Sequence, residues 1–285
     1  FDYDTYVLCS DGDLMEGVAA EAASLAGHLK LSNLCWIYDD NRITIEGDTD
    51  LAFSEDVAMR FQGMGWRIER VDDANDTAAL AAALSAFKAE ADKPTLVIVK
   101  SVIGYGAPTK AGSHSSHGAP LGAEEIRGAK EAYGWSPDAS FVVPEQVPQR
   151  FAETLGTRGE TARTAWQAVL AEHAQAHPEL GGELAAFLAG QLPAGWEQAI
   201  PEFPADAKGL ASRVSSGQVL SAISPKVPWL IGGSADLAPS TMTFVKGEGD
   251  FGPGDYAGRN LHFGIREHGM SAAANGMALC GLRPY

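Results

Sequence analysis

Apolar and polar positions along the chain fall into alternating blocks. Short runs dense in apolar, aromatic and β-branched residues occur at 6–9 (YVLC), 34–38 (LCWIY), 66–71 (WRIERV) and 95–100 (TLVIVK). Runs of this length bounded by polar residues predict buried strands. Between them, apolar positions recur at helical spacing over 14–30, 55–63 and 76–90. Strand alternating with helix in this way predicts βαβ units and a parallel sheet. Residues 104–122 (GYGAPTKAGSHSSHGAPLG) form a polar, glycine-rich loop longer than a plain connection needs. Further helices are predicted near 123–133, 145–153 and 160–175. Proline and glycine then accumulate from Pro178 to Pro204, a composition that reads as an interdomain connection. A second pattern follows: a helix over 210–223, a strand at 229–232 (WLIG), a glycine-rich stretch to Gly258 and a helix over 265–280. A further strand would begin near Pro284. The residues from 205 onward are too few to complete a doubly wound domain. The expectation is an α/β chain from the middle of a longer protein, with 1–177 as one domain, 178–204 as linker and 205–285 as the start of a second.

Composition narrows the partners. The chain has 285 residues, 45% of them hydrophobic, enough for one large domain or parts of two. Its net charge of −16, from 21 basic and 37 acidic residues, disfavours nucleic acid and membrane surfaces as partners. Phosphorylated substrates stay open, because a cleft can be locally positive. Cys9 and Cys35 lie in the predicted strands and Cys280 far from both, so buried free thiols are expected rather than a disulfide framework. Such usage fits a reducing, cytoplasmic setting. No apolar stretch is long enough to span a membrane. The chain opens at Phe1 without an initiator Met, so a missing signal peptide carries no information.

The chemistry gathers first in DGDLMEG, residues 11–17, which crowds Asp11, Asp13 and Glu16 at the end of a buried strand. The next strand ends in YDDN, which places Asn41 at its carboxyl end. A right-handed crossover between neighbouring parallel strands would open both ends on the same sheet edge, where open α/β sheets bind ligands. A carboxylate, an amide oxygen and a nearby backbone carbonyl form a hard-oxygen set suited to Mg²⁺ or Ca²⁺. The competing reading is a solvated turn that caps a helix. His114 and His117 invite a zinc reading, but no cysteine lies near them and a structural zinc takes four ligands.

Four separated stretches, in order, then carry a resemblance. DGDLMEGVAAEAASLAGHLKLSNLCWIYDDNRITIEG resembles a thiamine-diphosphate motif in the form found in transketolases. GYGAPTKAGSHSSHGAPLG, IGGSADLAPSTMT and HFGIREHGMSAAANGMAL are similar to three further signatures of that family. The resemblance implies a parallel-sheet diphosphate-binding domain, a linker and the start of an α/β pyrimidine-binding domain. It implies transfer of a two-carbon ketol unit from a ketose phosphate such as xylulose 5-phosphate to an aldose phosphate such as ribose 5-phosphate. The cofactor would be thiamine diphosphate, acting as its ylid. The metal would be Mg²⁺, with Ca²⁺ or Mn²⁺ as alternatives. The setting would be a cytoplasmic homodimer in the pentose phosphate pathway or the Calvin cycle. Dihydroxyacetone synthase or another thiamine-diphosphate enzyme is the nearest rival, and a non-catalytic transketolase-like subunit the rival of a different class. The chain as given, lacking family segments on both sides, is expected to be inactive alone.

The resemblance also assigns residues. Asp11 and Asn41 would hold the metal through side chains and Ile43 through its carbonyl. Gly12 would let the backbone approach the diphosphate, and Glu16 would belong to a carboxylate network between the two sites of the dimer. Ser10 stands where the family usually has glycine, and Asp13 where it usually has an uncharged residue; Asp13 is expected to be solvated. His117 would touch both diphosphate and substrate, with His114 as second choice. Arg213 and Ser240 would grip the substrate phosphate, and Asp236 would lie near the thiazolium. Glu267 would hydrogen-bond the pyrimidine and drive proton removal from the cofactor, a role that requires burial to outweigh the helix N-terminus at which it is expected.

Overall fold

The structure, a computed structural model, describes residues 3–285. The chain forms two compact units that do not follow its linear order. One runs to Ala139 and adds 251–256 and 263–273; the other comprises 140–250, 257–262 and 274–285.

The first unit is built on a four-stranded parallel sheet of β1 (Thr5–Ser10), β2 (Leu34–Asp40), β3 (Arg67–Val71) and β4 (Thr95–Lys100), in the order β1-β2-β4-β3. All four predicted strands are present. In β4, the residues Thr95–Val99 are all buried, the signature of a strand covered on both faces. The connecting helices are α1 (Asp11–Met15), α2 (Gly17–His28), α3 (Val57–Gly63) and α4 (Thr77–Ala89), with α5 (Ala123–Ala132) after the long loop. Asp56 caps α3 by accepting the Met59 amide at 2.9 Å, and Asp76 caps α4 by accepting the Ala78 and Ala79 amides.

One helix expected over 14–30 is two. The chain turns helical already at Asp11, then breaks at Glu16, whose backbone is extended (φ −65°, ψ 134°). The early start has a local cause. The Ser10 amide and hydroxyl both donate to Asp13 Oδ2, at 2.8 and 3.1 Å, closing the first turn onto the strand end. Asp13 is thus exposed, as expected of a solvated residue, but it also serves as a cap.

Packing pins α2 and α3 to the sheet. The Trp36, Phe61 and Trp66 rings meet edge to face, and Trp66 Nε1 donates to the Ala23 carbonyl at 2.8 Å. Arg60 reaches from α3 to the Leu14 carbonyl at 2.9 Å and lies over the rings of Phe53 and Phe61. Cys9 and Cys35 are buried free thiols, as expected. Burial, with the nearby carboxylates, pushes the Cys9 thiol up to about 12, and burial with Asp4 pushes Cys35 up to about 11. Neither is a reactive thiolate at neutral pH.

The second unit begins with α6 (Gln146–Phe151), which continues through a wider turn at Ala152–Gly156 into α7 (Thr157–Ala176). The two helices expected at 145–153 and 160–175 are therefore one nearly continuous rod. The stretch read as a connection contains a helix, α8 (Pro178–Leu188), with Pro178 at its first position, where a missing N–H costs nothing. After α9 (Ser212–Ile223) comes β5 (Leu230–Ser234), flanked in parallel by β6 (Asn260–His262) and β7 (Arg283–Pro284). A short helix, α10 (Ala238–Thr241), lies between β5 and β6, and α11 (Glu267–Leu279) precedes β7. Asn260 is 2% exposed, and its side chain bonds the Val245 amide and the Val245 and Gly249 carbonyls, which ties down the glycine-rich stretch.

Gly27 marks the tightest approach in the first unit: a Cβ there would lie 1.8 Å from the Met64 carbonyl oxygen. Gly27→Ala is expected to destabilise the chain by about 1–3 kcal/mol, the usual cost of overpacking. Gly63→Ala, where an added Cβ meets nothing within 4 Å, is expected to be neutral or stabilising by about 0.5 kcal/mol. Denaturant titration of both variants checks the contrast.

Candidate active site

The site forms where β1 and β2 end. In their parallel register Cys9 lies opposite Tyr38 and Ser10 opposite Asp39. Side chains alternate faces along a strand, so Tyr38 and the side of β1 that carries Cys9 share a face. Asp11, two positions beyond Cys9, meets Tyr38 there. The Tyr38 hydroxyl donates to Asp11 Oδ1 at 2.5 Å and lies 3.3 Å from Asp40 Oδ1. Asp11 is 2% exposed and Tyr38 is 3% exposed.

The second oxygen of Asp11 is also held. The Arg42 amide donates to Asp11 Oδ2 at 3.2 Å. Arg42 adopts a left-handed backbone, φ 62°, an uncommon conformation away from glycine. Three contacts maintain it: the amide to Asp11, the carbonyl accepting the Thr49 amide at 2.9 Å, and the guanidinium on Asp50 at 2.5 Å. Beside it, Asn41 Oδ1 accepts the Ile43 amide at 2.9 Å, a local turn that sets the direction of the amide oxygen. Asp11 and Asn41 thus lie at adjacent strand ends on one edge of one sheet, as the spacing predicted, with Ile43 two residues beyond Asn41.

Burial dominates the electrostatics of the carboxylate. Burial raises the Asp11 pKa, the bonds from Tyr38 and the Arg42 amide oppose that rise, and the Asp40 carboxylate adds to it. Burial and the bond to Asp11 likewise push the Tyr38 phenol up, so it stays protonated and donates. Asp11, Tyr38, Asp40, Arg42 and Arg70 line a polar cavity of about 350 Å³. Among the described residues, no three His, Cys, Asp or Glu side chains cluster as a metal site. Any metal here would rest on one buried carboxylate together with amide and carbonyl oxygens, a donor set that fits a hard divalent ion. Gly12 is exposed, and an added Cβ there would meet nothing within 4 Å, so space is open above the turn. The Ser10 hydroxyl is turned onto Asp13, so the extra atom that Ser10 brings has its own partner.

The long loop is ordered by its own polar groups. Glu125 accepts the Thr109 and Lys110 amides at 3.0 and 3.3 Å and the Thr109 hydroxyl. Lys110 Nζ donates to the Leu121 carbonyl at 2.7 Å, and Ser116 Oγ to the Lys110 carbonyl at 2.7 Å. A single 3₁₀ turn, His114–Ser116, presents His114 and His117 as exposed side chains.

Glu267 is the first residue of α11 and is exposed. The burial that its expected role requires is not supplied within this chain. The start of α11 is anchored by α2: Glu21 Oε2 accepts the Gly269 amide at 2.7 Å, and Arg266 donates to Ser24 Oγ at 3.0 Å. Glu16 sits exposed at the break just before α2. In the second unit, Arg213 is exposed in the first turn of α9 and Ser240 is exposed in α10. The two helices touch through Gly217, where a Cβ would lie 2.6 Å from Met242 Cβ, so this glycine permits the approach. Asp236 is exposed with a left-handed backbone, φ 60°. Tyr38 and the Arg42 amide, which hold Asp11, and Glu21, which holds the start of α11, are positions that sequence reasoning did not single out. A signal for Glu21 existed: it is the one charged residue in the apolar run GVAAEAASLAG.

Residues 1–193 match the family described as transketolase, thiamine diphosphate binding domain, and residues 208–285 match the transketolase pyrimidine binding domain. The chain is 52% identical over 277 residues to a transketolase of Geobacillus stearothermophilus, covering 97% of this chain and 41% of that protein. It is 46% identical over 289 residues to transketolase 1 of Saccharomyces cerevisiae, covering 99% of this chain and 42% of that protein. Its fold superposes with a TM-score of 0.95, at 46% identity, on a Pichia stipitis transketolase solved with sedoheptulose-7-phosphate, covering all of this chain and 43% of that one. A transketolase from Leishmania mexicana gives a TM-score of 0.94 at 38% identity. The chain thus spans about two fifths of the length of these relatives. Two matched domains that cover most of its length establish that the chain belongs to the transketolase family.

Proposed function

We propose that this chain supplies both cofactor-binding ends of a transketolase, which moves a two-carbon ketol unit from a ketose phosphate to an aldose phosphate. The observation that carries this reading is the placement of buried Asp11 beside Asn41 at adjacent parallel strand ends in a chain of this family. Residues 1–177 form the diphosphate-binding part, 178–204 the connection and 205–285 the start of the pyrimidine-binding part.

Asp11, Asn41 and the Ile43 carbonyl would hold Mg²⁺, whose charge would offset part of that of the diphosphate and of buried Asp11. Gly12 leaves room for the diphosphate at the strand end. When bound, thiamine diphosphate supplies the carbon nucleophile and electron sink that the two-carbon unit needs. Glu267, the first residue of α11, would hydrogen-bond the pyrimidine ring at a face covered by a partner subunit. The exposed α11 face supports such an interface. Ala272 and Gly276 are small and exposed, and Leu279 is 90% exposed, which suits close approach of another helix. Glu16, at the N-terminal end of α2, joins the carboxylate network of a homodimer. His117 donates to phosphate and substrate from its loop. Arg213 would grip the substrate phosphate with its planar fork, Ser240 would add a hydroxyl, and Asp236 would lie on the side of the thiazolium. The setting is cytoplasmic sugar-phosphate metabolism, in the pentose phosphate pathway.

Three substitutions in the complete protein test the assignments. Asp11→Ala is expected to abolish Mg²⁺-dependent binding of thiamine diphosphate; unchanged affinity by calorimetry would remove the metal assignment. Glu267→Gln is expected to leave substrate affinity nearly intact and lower turnover by about 10²–10⁴-fold. Proton exchange at C2 of the cofactor, followed by NMR, is the direct readout, and a wild-type exchange rate would take Glu267 out of the mechanism. Arg213→Ala is expected to impair phosphorylated donors far more than hydroxypyruvate, which offers no phosphate dianion. Equal losses in steady-state rates for both donors would make Arg213 structural.

A further inference from the structure

Asp11 carries both of its oxygens on fixed donors, and one of those donors is a side chain from the neighbouring strand. Tyr38 lies near the end of β2, 3% exposed, in the buried core cluster that includes Leu14, Phe61, Trp66 and Ile98. A ring held in a packed core has one position, so its hydroxyl is delivered to one point. That point is 2.5 Å from Asp11 Oδ1. The competing acceptor, Asp40 Oδ1, is farther, at 3.3 Å. A phenol has one proton to give, and the shorter contact takes it.

A free aspartate rotates about its terminal bond. Here the hydroxyl fixes Oδ1 and the Arg42 amide fixes Oδ2, so the carboxylate plane is set before any ligand arrives. Each carboxylate oxygen has two lone pairs. The hydroxyl and the amide take one lone pair on each oxygen and leave the carboxylate capacity to bind a cation. The residue beside a ligand decides its orientation and its basicity in this way at many metal centres.

We propose that Tyr38 is a positioning residue for the divalent metal of this site: its buried hydroxyl orients the Asp11 carboxylate toward the ion. The inference rests on the reading of Asp11 as a metal ligand made above. Tyr38 does not touch the metal or the substrate; it acts through Asp11.

The test uses Mn²⁺ as the probe, bound to the complete protein with thiamine diphosphate and followed by electron paramagnetic resonance. Tyr38→Phe keeps the ring in the core and removes only the hydroxyl. It is expected to weaken Mn²⁺ binding by about 10–100-fold, the usual cost of losing such a partner. It is also expected to change the zero-field splitting of the bound ion, because the carboxylate takes a new orientation. A general loss of packing would not change the spectrum of the ion that still binds. Asp11→Ala separates the two levels of the argument. If Mn²⁺ binds the wild type and Asp11→Ala equally, the metal reading itself fails. If Asp11→Ala abolishes binding while Tyr38→Phe retains wild-type affinity and spectrum, the metal reading stands and the role of Tyr38 is overturned. A melting temperature for metal-free Tyr38→Phe, compared with Tyr38→Leu, accounts for folding. Loss of affinity in a Phe variant that melts like wild type supports the proposal, and loss that only parallels a lowered melting temperature overturns it.

Discussion

The parallel pairing of β1 with β2 is the constraint on which the site depends. A parallel ladder puts both carboxyl ends on one edge, and its register brings Tyr38 level with Cys9. Every feature of the edge follows from that alignment: the contact of Tyr38 with Asp11, the approach of the Arg42 amide, and the nearness of Asn41. A slip of one residue would turn Tyr38 to the opposite face and leave Asp11 buried without its hydroxyl donor. The fully buried β4 on the far side of β2 resists such a slip, because its own pairing with β2 is embedded in the core.

A buried carboxylate is costly, and the structure shows how the cost is reduced. Asp11 accepts one hydroxyl and one amide, yet its proton affinity still rises, because burial and Asp40 outweigh those bonds. The same cavity is lined by Arg42 and Arg70, which bring positive charge to this edge. The left-handed Arg42 fits the same logic. Its backbone is held in an uncommon conformation by three separate contacts, and the reward is an amide aimed at Asp11.

Ser10 and Asp13 act as a pair: one brings a hydroxyl to the strand end and the other a carboxylate three residues on. Joined by two hydrogen bonds, they form a helix cap that draws the hydroxyl away from the open space at Gly12. A serine here without its aspartate would have to find another acceptor at the strand end.

The order of strands and helices was legible in the sequence, because apolar periodicity and capping residues are local properties. The four strands of the first sheet and the helices at 57–63 and 77–89 lie close to where the pattern put them. The gathering of Asp11 with Asn41 was legible too, since it needs only parallel strands and a right-handed crossover. The break at Glu16 was not, because Gly17 and the alanines after it permit an unbroken helix on propensity alone. Nor was the helix at 178–188, where proline sits at a first turn rather than in a connection. The partners of the site residues lay still further from view. Tyr38 meets Asp11 across 27 positions, and Glu21 meets Gly269 across 248. Local sequence determined which residues carry the chemistry; only tertiary packing decided which donors hold them, since a hydrogen bond between distant positions depends on where whole strands and helices come to rest.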